Sequence, residues 1–466
     1  MAYTPIPIYG STTPQRTQTP TEFSNNADDW LDYQAPLAES YNILAGQVNT
    51  MADRAEAVSI DVAAVEQARV EAEASAVSAA SSAASAETDA QSATNAVATT
   101  TQNATDSQAA ADAAQQAATE AKQITGLDTV YDAVAQQAPA QVAAAVEQQS
   151  GGMNRYRQDA NGNWNMMVRI PVMTNKVFND ALGTNWTPES DPHPAFIRPD
   201  GTNMPWFEFG MYQASNDGSG NPVSAAHKDP YVSINFDNAK TKCSAMGAGW
   251  GMTSNAQWAA VSLWCLANGY QPLGNTYYGY SHERSYLAGI RQDGSINGDA
   301  NGSARILTGS GPAEFRHNKI MQGISDMAGN VWEWVDGLKS DEGQLFVATR
   351  ERQDEADWAA QDAFLDNGLK LNSERTSTAK TSVTWASLGK SETYVENQLL
   401  QQLMIEPITE TGGALGRLYY NNEGVRLPLR GGRWGDASNA GLAALALSNA
   451  RSYASGSVGF RPAYFE

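Results

Sequence analysis

Cysteine is nearly missing from this chain: Cys243 and Cys265 are the only two among 466 residues. That excludes a disulfide-stapled scaffold. Basic residues are scarce as well, 30 against 51 acidic ones, for a net charge of −21. Nucleic acid and anionic membranes are poor partners for such a chain, because phosphate binding depends on basic patches. No stretch reaches the roughly 18 consecutive apolar residues of a transmembrane helix. The opening MAYTPIPIYGSTTPQRTQTP has no apolar core of the kind a secretory signal needs. The four histidines, His193, His227, His282 and His317, stand apart and show no helical metal spacing. Charged residues are only 17% of the chain, so much of its polarity comes from Ser, Thr, Asn and Gln.

Glycine and proline are also missing, but only locally, between Gly46 and Gly126. The segment is dominated by Ala, Ser, Thr, Gln and Glu. A 4-then-3 spacing runs through Leu44, Val48, Met51, Ala55, Val58, Val62, Val65 and onward to Ala121. This heptad seam predicts a coiled coil on the order of 120 Å long, thin and oligomeric. Its largely alanine seam buries little area per turn and does not by itself set the number of strands.

The composition shifts along the chain give four parts. Residues 1–42 are rich in Pro, Thr and Asn around Trp30, Leu31 and Tyr33, and cannot bury a core alone. Residues 43–125 are the stalk. Residues 126–192 hold a second helical patch, Val130 to Gln149, the glycine pair Gly151-Gly152, and a small β segment around Asn161-Gly162. From 193 to 466 the chain is aromatic-rich and reads as the head. Within it, 235–247 and 253–269 have helical spacing with polar starts and glycine stops. Ala195-Phe196-Ile197 and 206–212 are strand-like. The stretch of about 337–425 reads as an insertion of strands and loops.

Three blocks of the head carry a resemblance. They are GWGMTSNAQWAAVSLWCLANGYQPLGNTYYG, Gly329-Asn330-Val331-Trp332-Glu333-Trp334, and the terminal stretch from Leu429. The last joins Arg430-Gly431-Gly432, Trp434, Arg451-Ser452 and Gly459-Phe460-Arg461-Pro462. Together they resemble the C-type-lectin-like fold of formylglycine-generating enzymes. More closely, they resemble the retroelement-diversified tropism determinants of phages and prophages. The expected fold class is α+β: a long Ala-rich coiled-coil stalk followed by a C-type-lectin-like head.

The resemblance implies a phage tail fibre or tail-tip receptor-binding protein. Its N-terminal segment would dock to other tail or baseplate proteins, although a plain disordered leader is the alternative. The stalk would make it a homotrimer by analogy with phage fibres. The partner would be a bacterial cell-surface receptor, protein or glycan. A virion protein made in the cytoplasm and released by lysis suits the missing signal better than the alternative, a bacterial or prophage-borne surface adhesin. The enzyme reading is rejected: formylglycine-generating enzymes carry a cysteine pair in the terminal block, and Gly431 to Phe460 contains no cysteine.

Two sets of site residues follow. By position, Asp326, Gly329, Val331 and Glu333 match a segment that wraps calcium in the enzymes, two carboxylates and two backbone carbonyls for a hard cation. The alternative is a metal-free core in which Glu333 bonds backbone. The receptor-binding positions are Arg433, Gly435, Asp436, Ala444, Ala446, Ser448, Tyr453, Ser455, Gly456 and Ser457. Period-2 alternation sends Leu445 and Leu447 inward and Ala444, Ala446 and Ser448 outward. All belong to the set reachable when adenines of an asparagine codon are randomised. Arg430, Arg451 and Arg461 are expected to tie loops together, as five-donor guanidiniums can.

Overall fold

The computed structural model describes residues 141–367, 370–408 and 413–466. The expected docking segment and coiled-coil stalk lie outside the described residues. Residues 141–149 are helical and put Val146 into the core. They end at Gly151 and Gly152, both at positive φ, where a side chain would be strained.

Strands β1 (Asn154–Gln158) and β2 (Trp164–Pro171) form the expected hairpin, with Gln158 opposite Trp164. The Asp159 carboxylate accepts from the backbone N–H of Asn161 and Asn163, which fixes the turn. After helix α1 (Asn175–Leu182) comes β3 (Trp206–Gly210). The hairpin β4 (Ser215–Asn216) and β5 (Pro222–Val223) follows. Next come α2 (Phe236–Ser244), β6 (Trp250–Met252) and α3 (Asn255–Ala267). A second hairpin, β7 (Tyr280–Ser281) and β8 (Arg284–Ala288), precedes β9 (Trp332–Trp334).

The stretch read as an insertion supplies β10 (Leu338–Asp341), β11 (Gln344–Val347), β12 (Ala359–Asp366) and β13 (Lys370–Asn372). It goes on to β14 (Lys380–Thr384), β15 (Gly389–Lys390), α4 (Gln398–Gln402) and β16 (Arg417–Asn421). The terminal block holds β17 (Leu427–Gly431), β18 (Gly441–Asn449), β19 (Val458–Phe460) and β20 (Pro462–Tyr464).

Apart from the hairpins β4-β5 and β7-β8, three sheets organise these strands. One has the order β1-β2-β3-β20-β6, so the last strand of the chain sits between β3 and β6, far from it in sequence. The hairpin of β1 and β2 is therefore part of the head, through the β2–β3 ladder. The boundary expected near 193 does not separate two units. The physical reason is that β2 buries Met166, Met167, Val168 and Ile170, and only the head can cover them. A second sheet, β10-β11-β12-β13-β15, comes wholly from the expected insertion. The third, β14-β16-β18-β17-β9-β19, is where that stretch merges with the terminal block, with Leu418 opposite Leu445.

Both expected helices are present. Helix α3 opens on a reciprocal capping box of Ser254 and Gln257. It is buried almost all round, with Trp258 donating its indole N–H to the Leu442 carbonyl at 3.1 Å. The expected strand at 195–197 is instead a 3-10 turn, Pro194–Phe196. Proline at its first position and the His193 ring accepting from the Ala195 N–H favour a helical start there.

The parity expected for β18 holds, but its outer face is not free. Leu445 and Leu447 join one core cluster, while Ala444 and Ala446 join another with Trp332, Trp334, Leu429 and Phe460. Ala444 is fully buried and cannot contact a receptor. A strand flanked by β16 and β17 with both faces covered does not show its outer side as polar alternation.

Candidate functional site

Past the middle of β18 the covering thins out, and an open cavity of about 460 Å³ forms. Its base is Trp332 of β9, Leu429 of β17, Ala446 of β18 and Val458 of β19. Tyr419 of β16 lies beside Ala446 in the parallel ladder and forms one wall. Arg433 and Asp436, in the loop between β17 and β18, form another. The rim is completed by Ser448 and Asn449 at the strand end and by Tyr453, Ser455 and Ser457 before β19.

The charges in this cavity are closed on each other. Asp436 accepts from the Arg433 backbone N–H at 3.0 Å and from Arg433 Nε at 3.2 Å. The Trp332 indole N–H also donates to it. Burial pushes the Asp436 carboxyl above its ordinary range, against the lowering effect of Arg433. Tyr419 stands edge-on to Trp332, ring centres 6.0 Å apart at 83°, and burial raises its phenol too. The Ser455 and Ser457 hydroxyls pair at 3.1 Å. Among the described residues, no hydrogen bond engages the polar side-chain atoms of Tyr419, Ser448, Asn449 or Tyr453. Tyr453 is 39% exposed.

The structure brings together Arg433, Asp436, Ala446, Ser448, Tyr453, Ser455 and Ser457 of the expected receptor-binding positions. Gly435 and Gly456 flank the cavity without lining it, and Gly435 lies against the Tyr278 ring. Ala444 is excluded by burial. Sequence reasoning missed Trp332, Tyr419, Leu429, Asn449 and Val458. Alternation in RLYYN, with Leu418 and Tyr420 buried, marks Tyr419 as outward-facing. Asn449 carried no such signal. The register between β17 and β18 shifts from Leu429↔Ala446 to Leu427↔Asn449, and such a bulge lets Ser448 and Asn449 both reach the cavity.

Of the four residues matched to a calcium loop, Asp326, Gly329 and Val331 precede β9 and Glu333 lies within it, next to Trp332 of the cavity. A hard cation requires about six to eight oxygen ligands. Here Glu333 accepts from Arg461 Nε at 2.9 Å and Nη2 at 2.7 Å, in a pair with side-chain exposures of 1% and 0%. Gln213 donates to Glu333 Oε1 at 2.9 Å and to the Val331 carbonyl at 3.2 Å. Asp326 Oδ2 accepts from the Gly309 N–H at 2.9 Å. Its Oδ1 is buried without a hydrogen-bond partner, which is too little to hold an ion. The residues do not fit a divalent cation, because a guanidinium already supplies the positive charge. Gly329 is needed for another reason: its φ is +76°, and a Cβ there would lie 2.2 Å from the Asn275 carbonyl oxygen.

Asn330 extends the same network, donating to Gln213 Oε1 at 2.8 Å and accepting from the Ile306 N–H at 2.7 Å. Gln213 and Asn275, which also touches Asn330, are structural residues that the sequence did not reveal. Together they hold the strand that carries Trp332.

The other arginines act as ties, as expected. Arg430 is fully buried, donating to Asn255 Oδ1 and to the carbonyls of Leu403 and Met404. Burial pulls its pKa down to about 9. Arg451 links Asp237 at 2.7 Å and Glu355 at 2.5 Å. Cys243 and Cys265 are free, buried and in different clusters. Cys265 donates to the His317 carbonyl at 3.0 Å, and burial pushes both thiols up.

No family model matches the chain, and no curated protein sequence matches it. Among solved structures it is similar to Treponema denticola variable protein 1, at 12% identity and a TM-score of 0.28, over 67% of this chain and 98% of that one. PvdO from Pseudomonas aeruginosa is similar at 13% identity and a TM-score of 0.28, over 67% and 98%. The Major Tropism Determinant U1 variant is similar at 11% identity and a TM-score of 0.25, over 64% and 63%. Likenesses this distant assign nothing to individual residues.

Proposed function

We propose that this chain is a receptor-binding protein of a phage tail fibre or tail tip, which attaches a virion to a bacterial surface through the β18 cavity. One observation carries the reading: one short block holds buried frame residues bonded within the fold beside cavity residues whose polar side chains make no hydrogen bond among the described residues. Arg430 and Arg461 are buried and bonded internally. Tyr419, Ser448, Asn449 and Tyr453 keep their polar atoms for a ligand. Frame and cavity thus belong to different networks, so the cavity can change while the fold stands. The event is binding rather than turnover. The cavity lining holds neither cysteine nor histidine, and its carboxylate is committed to Arg433 and Trp332. Heads displayed together on the expected stalk would add weak contacts into firm attachment. No helix among the described residues is long and apolar enough to cross a membrane.

The test is adhesion of the full-length protein to intact bacterial cells, compared with the double variant Tyr453→Ala and Asn449→Ala, both on the cavity rim. Lost adhesion with an unchanged melting temperature is the expected result. Full adhesion after both changes excludes this cavity.

A further inference from the structure

We infer that the β18 cavity takes a neutral saccharide of the bacterial surface, its ring against the aromatic side chains and its hydroxyls on the rim. This rests on the receptor-binding reading and names the ligand of the same site.

The first argument is charge. Arg433 and Asp436 are the cavity's charged residues, and they neutralise each other within it. An anionic ligand would compete with Asp436 for Arg433, and a cationic side chain would compete with Arg433 for Asp436. A cation would draw Asp436 away from Arg433, and an anion at the guanidinium would have to sit beside the Asp436 carboxylate, so either weakens a pair made partly out of water. A neutral ligand leaves the pair intact.

The second argument is the character of the polar groups still open. Tyr419, Ser448 and Tyr453 offer hydroxyls, and Asn449 offers an amide; each can donate and accept. A ring of such groups matches a partner whose own groups also do both, as sugar hydroxyls do. The third argument is shape. The cavity is open, about 460 Å³, within the size range of small-molecule sites. Trp332 and Tyr419 meet nearly at right angles, giving a corner whose apolar faces suit the C–H side of a sugar ring.

The experiment uses full-length protein and cells that it binds, treated either with mild periodate, which cleaves vicinal diols, or with protease. Periodate should abolish binding, and protease should leave it. Purified surface polysaccharide from the same strain should compete, with an affinity that does not change between low and high salt. Ser448→Trp, which fills the cavity from the strand end, and Tyr453→Ala should each weaken polysaccharide binding by about tenfold or more at unchanged melting temperature. Should Ser448→Trp lower the melting temperature, Tyr453→Ala on the rim decides. Binding that resists periodate but is lost to protease overturns the saccharide and leaves the receptor reading standing. Binding to no bacterial surface removes both. Polysaccharide binding untouched by the variants overturns the cavity as its site.

Discussion

At the scale of single residues, burial decides what each charge does. Arg461 and Glu333 form a fully buried pair, so removing one member leaves the other unpaired. Arg461→Met is expected to destabilise the protein by about 3–5 kcal/mol, read from chemical denaturation. Adding Glu333→Gln to that variant should recover part of the loss. Because Glu333 is already paired with the buried Arg461 guanidinium, a chelator should not shift the melting temperature. A fall that calcium reverses would return an ion to this loop.

Three buried groups give the stability a pH dependence. Burial lowers His193 from 6.5 to about 4 and His317 from 6.5 to about 3. The unfolded chain therefore binds more protons, and stability falls as pH drops below about 6.5 toward those values. Burial raises Glu351 from 4.5 to about 8, against a 2.6 Å bond to the Ser254 hydroxyl. Here the folded state binds the extra proton, so stability is lost as pH rises from 4.5 to about 8. Toward acid pH the two histidines oppose the carboxyl, and well above pH 6.5 their contribution fades and the carboxyl's remains. Of these contributions, Glu351→Gln should remove the decline above pH 6.5 and leave the acid side in place, measured as melting temperature against pH.

At the scale of elements, β18 is both core and site. Its alanines on the cavity side have different surroundings, Ala444 fully enclosed and Ala446 at the cavity base. Ala444→Leu should overpack the sheet and destabilise it by about 1–3 kcal/mol. Ser448→Ala should stay within about 0.5 kcal/mol of the parent. Denaturant midpoints of the two variants measure the contrast directly, and equal effects would mean the strand is not covered as described. The helices were legible in sequence because their signals are local. The Ser254 cap and Gly269 stop bracket α3 within a few residues of its observed ends. The hairpin at Asn161-Gly162 was legible for the same reason. The 3-10 turn at Pro194 was not, since a short apolar run with no periodicity does not distinguish strand from turn.

At the scale of the whole molecule, the heptad seam of residues 44–121 predicts assembly. Sedimentation of the full chain should show an elongated multimer. Val58→Asp or Val62→Asp, on the seam, should weaken assembly far more than Ser82→Asp, off it. A compact monomer would remove the multivalent part of the proposed function.

By itself the sequence determined the local elements, the arginine and glycine frame, and which loops border the site. Arg433, Asp436, Tyr453 and the serines near it were identifiable because they fall between frame residues in one continuous block. Only the tertiary structure decided that Ala444 is covered, that Arg461 pairs with Glu333, and that Tyr419 and Trp332 complete the cavity. Caps, turns and alternation are set by neighbours a few positions apart. Glu333 and Arg461 are 128 residues apart in the chain, and Tyr419 meets Ala446 across a parallel ladder. Such pairings arise from the packing of whole sheets, and no local spacing encodes them.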